Sequence, residues 1–146
     1  MSRMTRLVKI SLVGMGILAI LALASLYALF HGYFDHGQFE VRRSLRSSTN
    51  QVAMVAERSD HEALGGLAYY VLIGSHVFSP AELRHAYYSN AVVFSALSDD
   101  CLTLRWDSPD KLTIKCDGSI VDRSHVNAQR QQSGNITISH ENIALK

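Results

Sequence analysis

The chain has 146 residues, with fourteen basic and thirteen acidic side chains and a formal net charge of +1 at pH 7. Three of the basic residues lie before residue 10, so eleven basic and all thirteen acidic side chains belong to the rest of the chain. A nucleic-acid-binding domain needs a concentrated basic face, which this balance does not provide, and we expect no nucleic-acid partner.

The first predicted element is a membrane-spanning helix over residues 10–30. This segment reads ISLVGMGILAILALASLYALF and contains no charged side chain. At about 1.5 Å of rise per residue, its length matches a bilayer's hydrocarbon core, which is roughly 30 Å thick. Residues 1–9 form a short tail whose only charges, Arg3, Arg6 and Lys9, are positive. A basic tail beside the helix favours a cytoplasmic N-terminus and an exported C-terminal part.

The same apolar run also fits a secretory signal peptide. Residues 22–24 read ALA, which has the A-x-A form of a cleavage site. Signal peptides usually have an apolar region of about 7–15 residues, whereas this run continues through Leu29 and Phe30. Tyr27 and Phe30 would supply aromatic rings at the far membrane interface. We favour a retained signal anchor and keep cleavage after Ala24 as the alternative.

The chain after residue 30 is long enough for one compact domain and too short for two. Residues 31–50 are predicted to be a juxtamembrane linker, whose basic cluster of Arg42, Arg43 and Arg46 would meet water or lipid headgroups. Residues 51–146 are predicted to form an extracytoplasmic β domain.

Several short segments of this domain are predicted to be strands, because they combine branched and aromatic residues between glycines and polar clusters. They are residues 52–57, 67–73, 91–97 and 135–140, the last with an extension to residue 145 left open. The polar stretch 123–133 is predicted to be a surface connection.

One short helix is predicted at the motif Ser79-Pro80-Ala81-Glu82. Ser79 can cap the free backbone N–H groups, Pro80 suits the first helical position, and Glu82 completes a capping box. The helix should cover about residues 80–89, which is too short to be stable without packing on a sheet.

The strongest local signal is a β-hairpin in which CLTLRW (101–106) and KLTIKC (111–116) alternate with period two. Two registers compete. Pairing Cys101 with Cys116 suits a direct disulfide, the default for two cysteines in an oxidising compartment, but it mixes apolar and polar faces. A shift by one residue pairs Trp106 with Leu112 and keeps one face apolar. We favour this apolar register, in which a disulfide requires a bulge or a mobile strand end.

Together these elements predict a mainly β fold. One N-terminal transmembrane helix is followed by a small antiparallel sheet or sandwich that carries one short helix.

No residue pattern in the chain identifies an enzyme. There is no G-x-S-x-G motif around a serine nucleophile. The histidine clusters near His31 and His36, and between Asp60 and Glu62 at His61, lack the further ligands that a zinc site needs. We expect no catalytic, metal or cofactor site and identify no small-molecule substrate.

The segments VVFSA (92–96), LTLRW (102–106), SPDKL (108–112) and TIKC (113–116) resemble a group of small bacterial exported or membrane-anchored proteins of unknown function. In that group an L-x-x-x-W strand, a short Ser-Pro or Asn-containing turn and an L-x-I strand recur. The resemblance implies a hairpin core and a bacterial envelope setting, and it implies no active site.

We therefore expect a single-pass protein of the bacterial inner membrane, with a cytoplasmic N-terminus and a periplasmic β domain. The membrane contact is made by residues 10–30, and the domain is expected to bind another envelope protein as a non-enzymatic module of the immunity or accessory type. The alternatives are an assembly component of an inner-membrane complex and a small envelope hydrolase or metal-binding protein.

Overall fold

The computed structural model describes residues 3–30, 37–60, 66–117, 126–128 and 130–141. The chain divides into two compact units, Met1–Asp35 and His36–Lys146. The first unit contains helix α1, and the second contains every described strand and helix α2.

Helix α1 runs without interruption from Arg3 to Phe30. Its segment Leu12–Leu29 has a mean hydropathy of 2.3 and none of it is buried. This helix is therefore long and apolar enough to cross a membrane. The helix begins at Arg3, so the predicted tail 1–9 is helical over most of its length, because lysine, arginine, leucine and methionine are all good helix formers.

The described part of the second unit contains nine strands and one helix. They are β1 (Gln38–Arg46), β2 (Val52–Ser59), β3 (Leu67–Gly74), α2 (Pro80–Tyr88), β4 (Phe94–Ala96), β5 (Leu102–Ser108), β6 (Lys111–Cys116), β7 (Val126–Ala128), β8 (Gln132–Ser133) and β9 (Ile136–Glu141). Sheet A has five strands in the order β1-β2-β3-β4-β7, and sheet B has four in the order β5-β6-β9-β8. The prediction of a mainly β fold with an N-terminal apolar helix is confirmed.

The two sheets differ in strand direction. All pairs in sheet A are antiparallel. Sheet B contains one parallel pair, β6 with β9, in which Lys111 lies opposite Thr137 and Ile114 opposite His140. This pair is an exception to the antiparallel pattern that we predicted.

Sheet A is the middle layer of the domain, with apolar side chains on both faces. One face packs against sheet B through residues that include Val55, Val71, Phe94, Leu112, Ile114 and Ile138. The other face packs against α2 through Met54, Tyr70, Leu72, Leu83 and Ala86, among others. Since successive strand residues point to opposite faces, a strand buried on both sides reads as a continuous apolar run, as β2 does.

Helix α2 begins at the predicted capping box. The Glu82 N–H donates to Ser79 Oγ, and the Ser79 N–H donates back to the Glu82 carboxylate at 2.8 Å. His76 Nε2 lies 3.0 Å from the same carboxylate. The hydrogen bonds from Ser79, helped by His76, lower the pKa of Glu82 to about 2. Leu83 and Ala86 are the buried residues of the helix and hold it on sheet A.

Strand β1 corrects the predicted linker 31–50, because residues 38–46 are part of sheet A. The register shifts between Val41 and Arg43, which places a bulge at Arg42. Phe39 and Val41 pack on the α2 side of the sheet before this bulge. A bulge breaks the period of two, so the strand lacks the alternation that identifies strands in sequence. Residues 31–36 of the predicted linker lie outside the described residues.

Two arginines of the basic cluster contact protein groups, where the sequence predicted water or lipid headgroups. Arg42 Nε lies 3.1 Å from Glu57 Oε2. Arg43 Nη2 donates to the Asp99 carbonyl at 2.8 Å. β1 is an edge strand of sheet A, and charges with a bulge on such a strand discourage pairing with another chain.

Two further predicted segments need correction. The predicted surface connection 123–133 contains the short strands β7 and β8. The predicted strand 91–97 is reduced to the three residues of β4. The extension of the last strand toward residue 145 lies outside the described residues beyond Glu141.

Candidate functional site: a tyrosine-lined groove

A groove of about 520 Å³ opens at one end of sheet A. It lies where β3 begins, β4 ends and β7 begins, and the C-terminal end of α2 forms its opposite side. Pockets that hold small ligands typically measure about 300–1,000 Å³. The groove is therefore large enough to hold a ligand, and it is our candidate site.

Four tyrosines line this groove: Tyr69 and Tyr70 from β3, and Tyr87 and Tyr88 from α2. The ring centroids of Tyr70 and Tyr87 are 5.2 Å apart. Those of Tyr87 and Tyr88 are also 5.2 Å apart, with their planes at 83°. The Phe39 ring packs against this group, since its centroid lies 5.7 Å from that of Tyr87. The rings of Phe39, Tyr70, Tyr87 and Tyr88 thus form one connected aromatic cluster, whereas Tyr69 belongs to the core cluster on the other face of sheet A.

Tyr69 is held in place by charged residues outside the groove. Its hydroxyl hydrogen-bonds the Glu57 carboxylate, which in turn pairs with Arg42 at 3.1 Å. Burial, together with the charge of Glu57, raises the pKa of Tyr69 above its ordinary value. The phenol therefore stays neutral, and the ion pair fixes the ring that it supports.

The other described lining residues are uncharged. Asn90, Ser95 and Asn127 supply hydrogen-bond donors and acceptors, whereas Ala68, Val92, Ala96, Leu97 and Val126 are apolar. Leu97 is 54% exposed and presents apolar surface to the solvent. None of the lining residues that the structure describes carries a charge.

The strand registers explain how the polar side chains meet. Tyr70 lies opposite Ser95 in the β3–β4 pair, and Ser95 lies opposite Asn127 in the β4–β7 pair. Directly opposed residues share one face of a sheet, so these three side chains form a row across sheet A. At the end of α2, Asn90 has a φ of +59° and its carbonyl accepts a hydrogen bond from Arg130 Nη2.

Tyr70 supplies a buried hydroxyl on the α2 side of sheet A. Its side chain is fully buried, and its hydroxyl has no hydrogen-bond partner within the described part of the chain. Burial raises the pKa of Tyr70 well above its ordinary value, so the hydroxyl remains a donor. A buried polar group without a partner costs about 1–3 kcal/mol.

His140 of β9 is a half-buried polar side chain that is not part of the groove lining. Its ring stacks on Phe94 with centroids 5.9 Å apart and planes at 25°. Its Nε2 is buried and has no hydrogen-bond partner among the described residues. Burial lowers the pKa of His140 below its ordinary value of 6.5. The folded domain therefore favours the neutral imidazole.

This burial should make the domain less stable in mild acid. Between pH 6.5 and the lower pKa of the folded state, His140 is protonated in the unfolded chain and neutral in the folded domain. Proton binding therefore favours the unfolded chain in this range. Stability is complete above pH 6.5 and falls as the pH drops through that window. Urea unfolding at several pH values should therefore show a smaller loss for His140→Leu than for the native chain. Parallel profiles would contradict the assignment. Glu82 titrates lower, between 4.5 and about 2, and does not interfere.

Cys101 and Cys116 form a disulfide, with sulfur atoms 2.08 Å apart and Cα atoms 4.5 Å apart. The β5–β6 pair nevertheless uses the apolar register, with Leu102 opposite Cys116 and Trp106 opposite Leu112. The disulfide and the apolar register are compatible because Cys101 lies one residue before β5. At that position its carbonyl accepts a hydrogen bond from the Asp117 N–H. The disulfide thus closes the open end of the hairpin.

The remaining candidate residues do not form a site in the described part of the chain. No group of three or more His, Cys, Asp or Glu side chains there could hold a metal ion. The clusters around His31, His36 and His61 lie outside the described residues.

The groove itself was not anticipated from the sequence. The signal that could have found it is the pair of Tyr-Tyr doublets, 69–70 and 87–88, one in a strand and one near a helix end. Comparisons with known proteins give no relative for the chain: it matches no protein-family model, no curated protein and no solved structure.

Proposed function

We propose that this protein is a single-pass binding module of the bacterial envelope, of the immunity or accessory type. Its β domain holds an uncharged segment of another envelope protein in the tyrosine-lined groove. One observation carries the proposal: the described lining combines four tyrosines with two asparagines and a serine and contains no charge. Tyrosine gives large, rigid contact area at low entropic cost, and asparagine and serine give adaptable hydrogen bonds, as in protein-binding surfaces.

Two features support the placement of this domain across a membrane. The apolar segment Leu12–Leu29 has the length and hydropathy of a span, and the basic residues before it favour a cytoplasmic N-terminus. The domain carries a buried disulfide between Cys101 and Cys116. Disulfides persist in oxidising compartments such as the periplasm and are rare in the cytoplasm.

A reporter enzyme that is active only in the periplasm, fused after Lys146, should be active in cells. The basic residues next to α1 should stay inside while the domain is exported. A second reporter, active only in the cytoplasm, serves as the control and should be silent. The reverse pattern would contradict the proposed topology.

The groove should be in contact with a partner in intact cells. A photo-crosslinking amino acid at Leu97, which is exposed and lines the groove, should give an adduct with one defined envelope protein. The same amino acid at Lys115, exposed on sheet B, should give no such adduct.

A groove-filling variant makes this test specific. Asn127→Trp places a large ring in the groove and should abolish the Leu97 adduct. Thr137→Trp, at an exposed position of β9, should leave it unchanged. An adduct that survives Asn127→Trp, or that forms equally from Lys115, would overturn the groove as the binding site.

A further inference from the structure

We propose that residues 38–41, the part of β1 before its bulge, form a latch segment that leaves sheet A by local opening while the rest of the strand stays in place. In the docked state the Phe39 ring packs against two tyrosines of the groove. In the released state those tyrosines lose this contact, which weakens binding in the groove. The effect on binding rests on the proposed function, whereas release of the latch segment does not.

The bulge at Arg42 divides β1 into two parts. In the first part Val41 lies opposite Ala56 of β2, and in the second part Arg43 lies opposite Val55. A bulge leaves its extra residue unpaired and disrupts the ladder locally. The two parts of β1 can therefore separate from β2 independently of each other.

The second part of β1 is fastened to residues outside sheet A. Arg43 Nη2 donates to the Asp99 carbonyl at 2.8 Å. The Trp106 indole Nε1–H donates to the Leu45 carbonyl at 3.0 Å. Release of residues 43–46 must break these two hydrogen bonds in addition to the ladder.

The latch segment has fewer attachments. It belongs to an edge strand, and among the described strands it pairs with β2 alone. Within the described residues its one ion pair joins Glu40 to Arg42 at 3.9 Å, inside β1 itself. Its other attachment is the packing of Phe39 and Val41 on the α2 side of the sheet. Segments that few buried contacts hold are the first to open locally.

The latch segment is also the place at which the chain enters the domain. Helix α1 ends at Phe30, and the ladder with β2 begins at Gln38, with residues 31–37 between them. When α1 is held in a membrane, a displacement of the domain is therefore passed along the chain to Gln38.

Phe39 connects the latch segment to the groove. Its ring is only 7% exposed, and its centroid lies 5.7 Å from that of Tyr87 and 6.5 Å from that of Tyr70, with both pairs edge to face. Both tyrosines line the groove. The docked and released states thus differ in a contact at the groove, and such a difference is what couples one position to another.

Alkylation of two matched thiols tests the release. Ala56→Cys places a thiol opposite Val41 of the latch segment, and Ala53→Cys places one opposite Leu45 of the second part. Both alanines are fully buried. In the full chain in lipid nanodiscs without reductant, iodoacetamide should label Ala56→Cys at least about tenfold faster than Ala53→Cys, because local opening exposes only the first thiol. Equal rates would overturn the proposal.

Phe39→Leu separates local release from a general loss of stability. It keeps an apolar side chain and removes the ring that packs on Tyr87 and Tyr70. Added to each thiol variant, it should speed labelling of Ala56→Cys and leave that of Ala53→Cys unchanged. A general loss of stability would speed both reactions equally, and that result would overturn the latch segment.

Hydrogen exchange of the native chain gives a second measurement that needs no cysteine variant. The slowest amide of residues 38–41 should exchange at least about tenfold faster than the slowest amide of residues 43–46. Equal protection of the two parts would show that β1 opens as one unit, and it would overturn the proposal.

The Leu97 crosslink connects release to binding. Phe39→Leu should reduce the yield of the Leu97 adduct at least about threefold. Leu45→Ala is the matched control in the second part of β1, where the side chain is 38% exposed and the carbonyl that Trp106 uses is retained. This variant should leave the yield unchanged.

The outcomes separate this inference from the proposed function. An adduct yield that Phe39→Leu does not change would overturn the coupling to the groove and leave the protein-binding function standing. Absence of any adduct in the native chain would overturn the proposed function and the coupling, while the two thiol rates would still decide whether the latch segment opens by itself.

Discussion

Replacing Phe94 by alanine should lower the free energy of unfolding by about 3–5 kcal/mol, the range for deleting a buried aromatic ring. The side chain is fully buried between the two sheets. It lies opposite Val71 in one strand pair and opposite Ala128 in the other. Its ring also covers that of His140. The substitution would therefore open a cavity at the centre of the domain and expose a second side chain.

Urea unfolding of the full chain in micelles, followed by circular dichroism, measures this loss. Thr137→Ala is the matched control, since Thr137 is exposed in a strand of the other sheet, and surface changes of this kind stay within about 0.5 kcal/mol. A loss below about 1 kcal/mol for Phe94→Ala would contradict the burial described above.

Removal of the disulfide should cost about 3 kcal/mol of stability, the value that chain-entropy arguments give for a closed loop of this size. Cys101 and Cys116 are 15 positions apart. In the double variant Cys101→Ala/Cys116→Ala the unfolded chain gains the freedom that the cross-link removes. The apolar register should survive, because the pairing of Leu102 with Cys116 and of Trp106 with Leu112 does not depend on the bond.

Unfolding curves with and without reductant test this expectation. Reductant should lower the urea midpoint of the native chain to near that of the double variant, and it should leave the variant's own midpoint unchanged. Alkylation without reductant should add no mass to the native chain. If reductant frees both thiols and the urea midpoint of the native chain stays unchanged, the disulfide does not make the expected contribution to stability.

The hairpin shows what local pattern can predict. Leu102, Leu104 and Trp106 alternate with polar residues, and so do their partners in β6. Burial of one face then selects the register without knowledge of the rest of the fold. The same holds for α2, whose start is marked locally by Ser79, Pro80 and Glu82.

Long-range pairing explains what could not be predicted. β1 has a bulge at Arg42, which destroys the alternation on which strand prediction depends. β9 was expected as a strand, but its parallel partner β6 begins 25 positions earlier in the chain. No pattern within either segment predicts that the two strands pair, because the pairing depends on the packing of the whole domain.

The groove could not be predicted from the sequence for a related reason. Its tyrosines read locally as core residues of a strand and of a helix face. They meet only because α2 packs on sheet A beside the start of β3. The burial of the Tyr70 hydroxyl without a partner among the described residues is a property of the assembled site, and no local pattern predicts it.

The position of β9 sets the order of events for a domain delivered through a membrane. β9 lies between β6 and β8 in sheet B, although it is the last described strand in the chain. In the export that we propose, sheet B would therefore lack an inner strand until residues 136–141 had left the translocation channel. Pairings between distant segments form slowly, so the chain would stay open during transit. Folding on the far side would then finish only when delivery of this strand was complete.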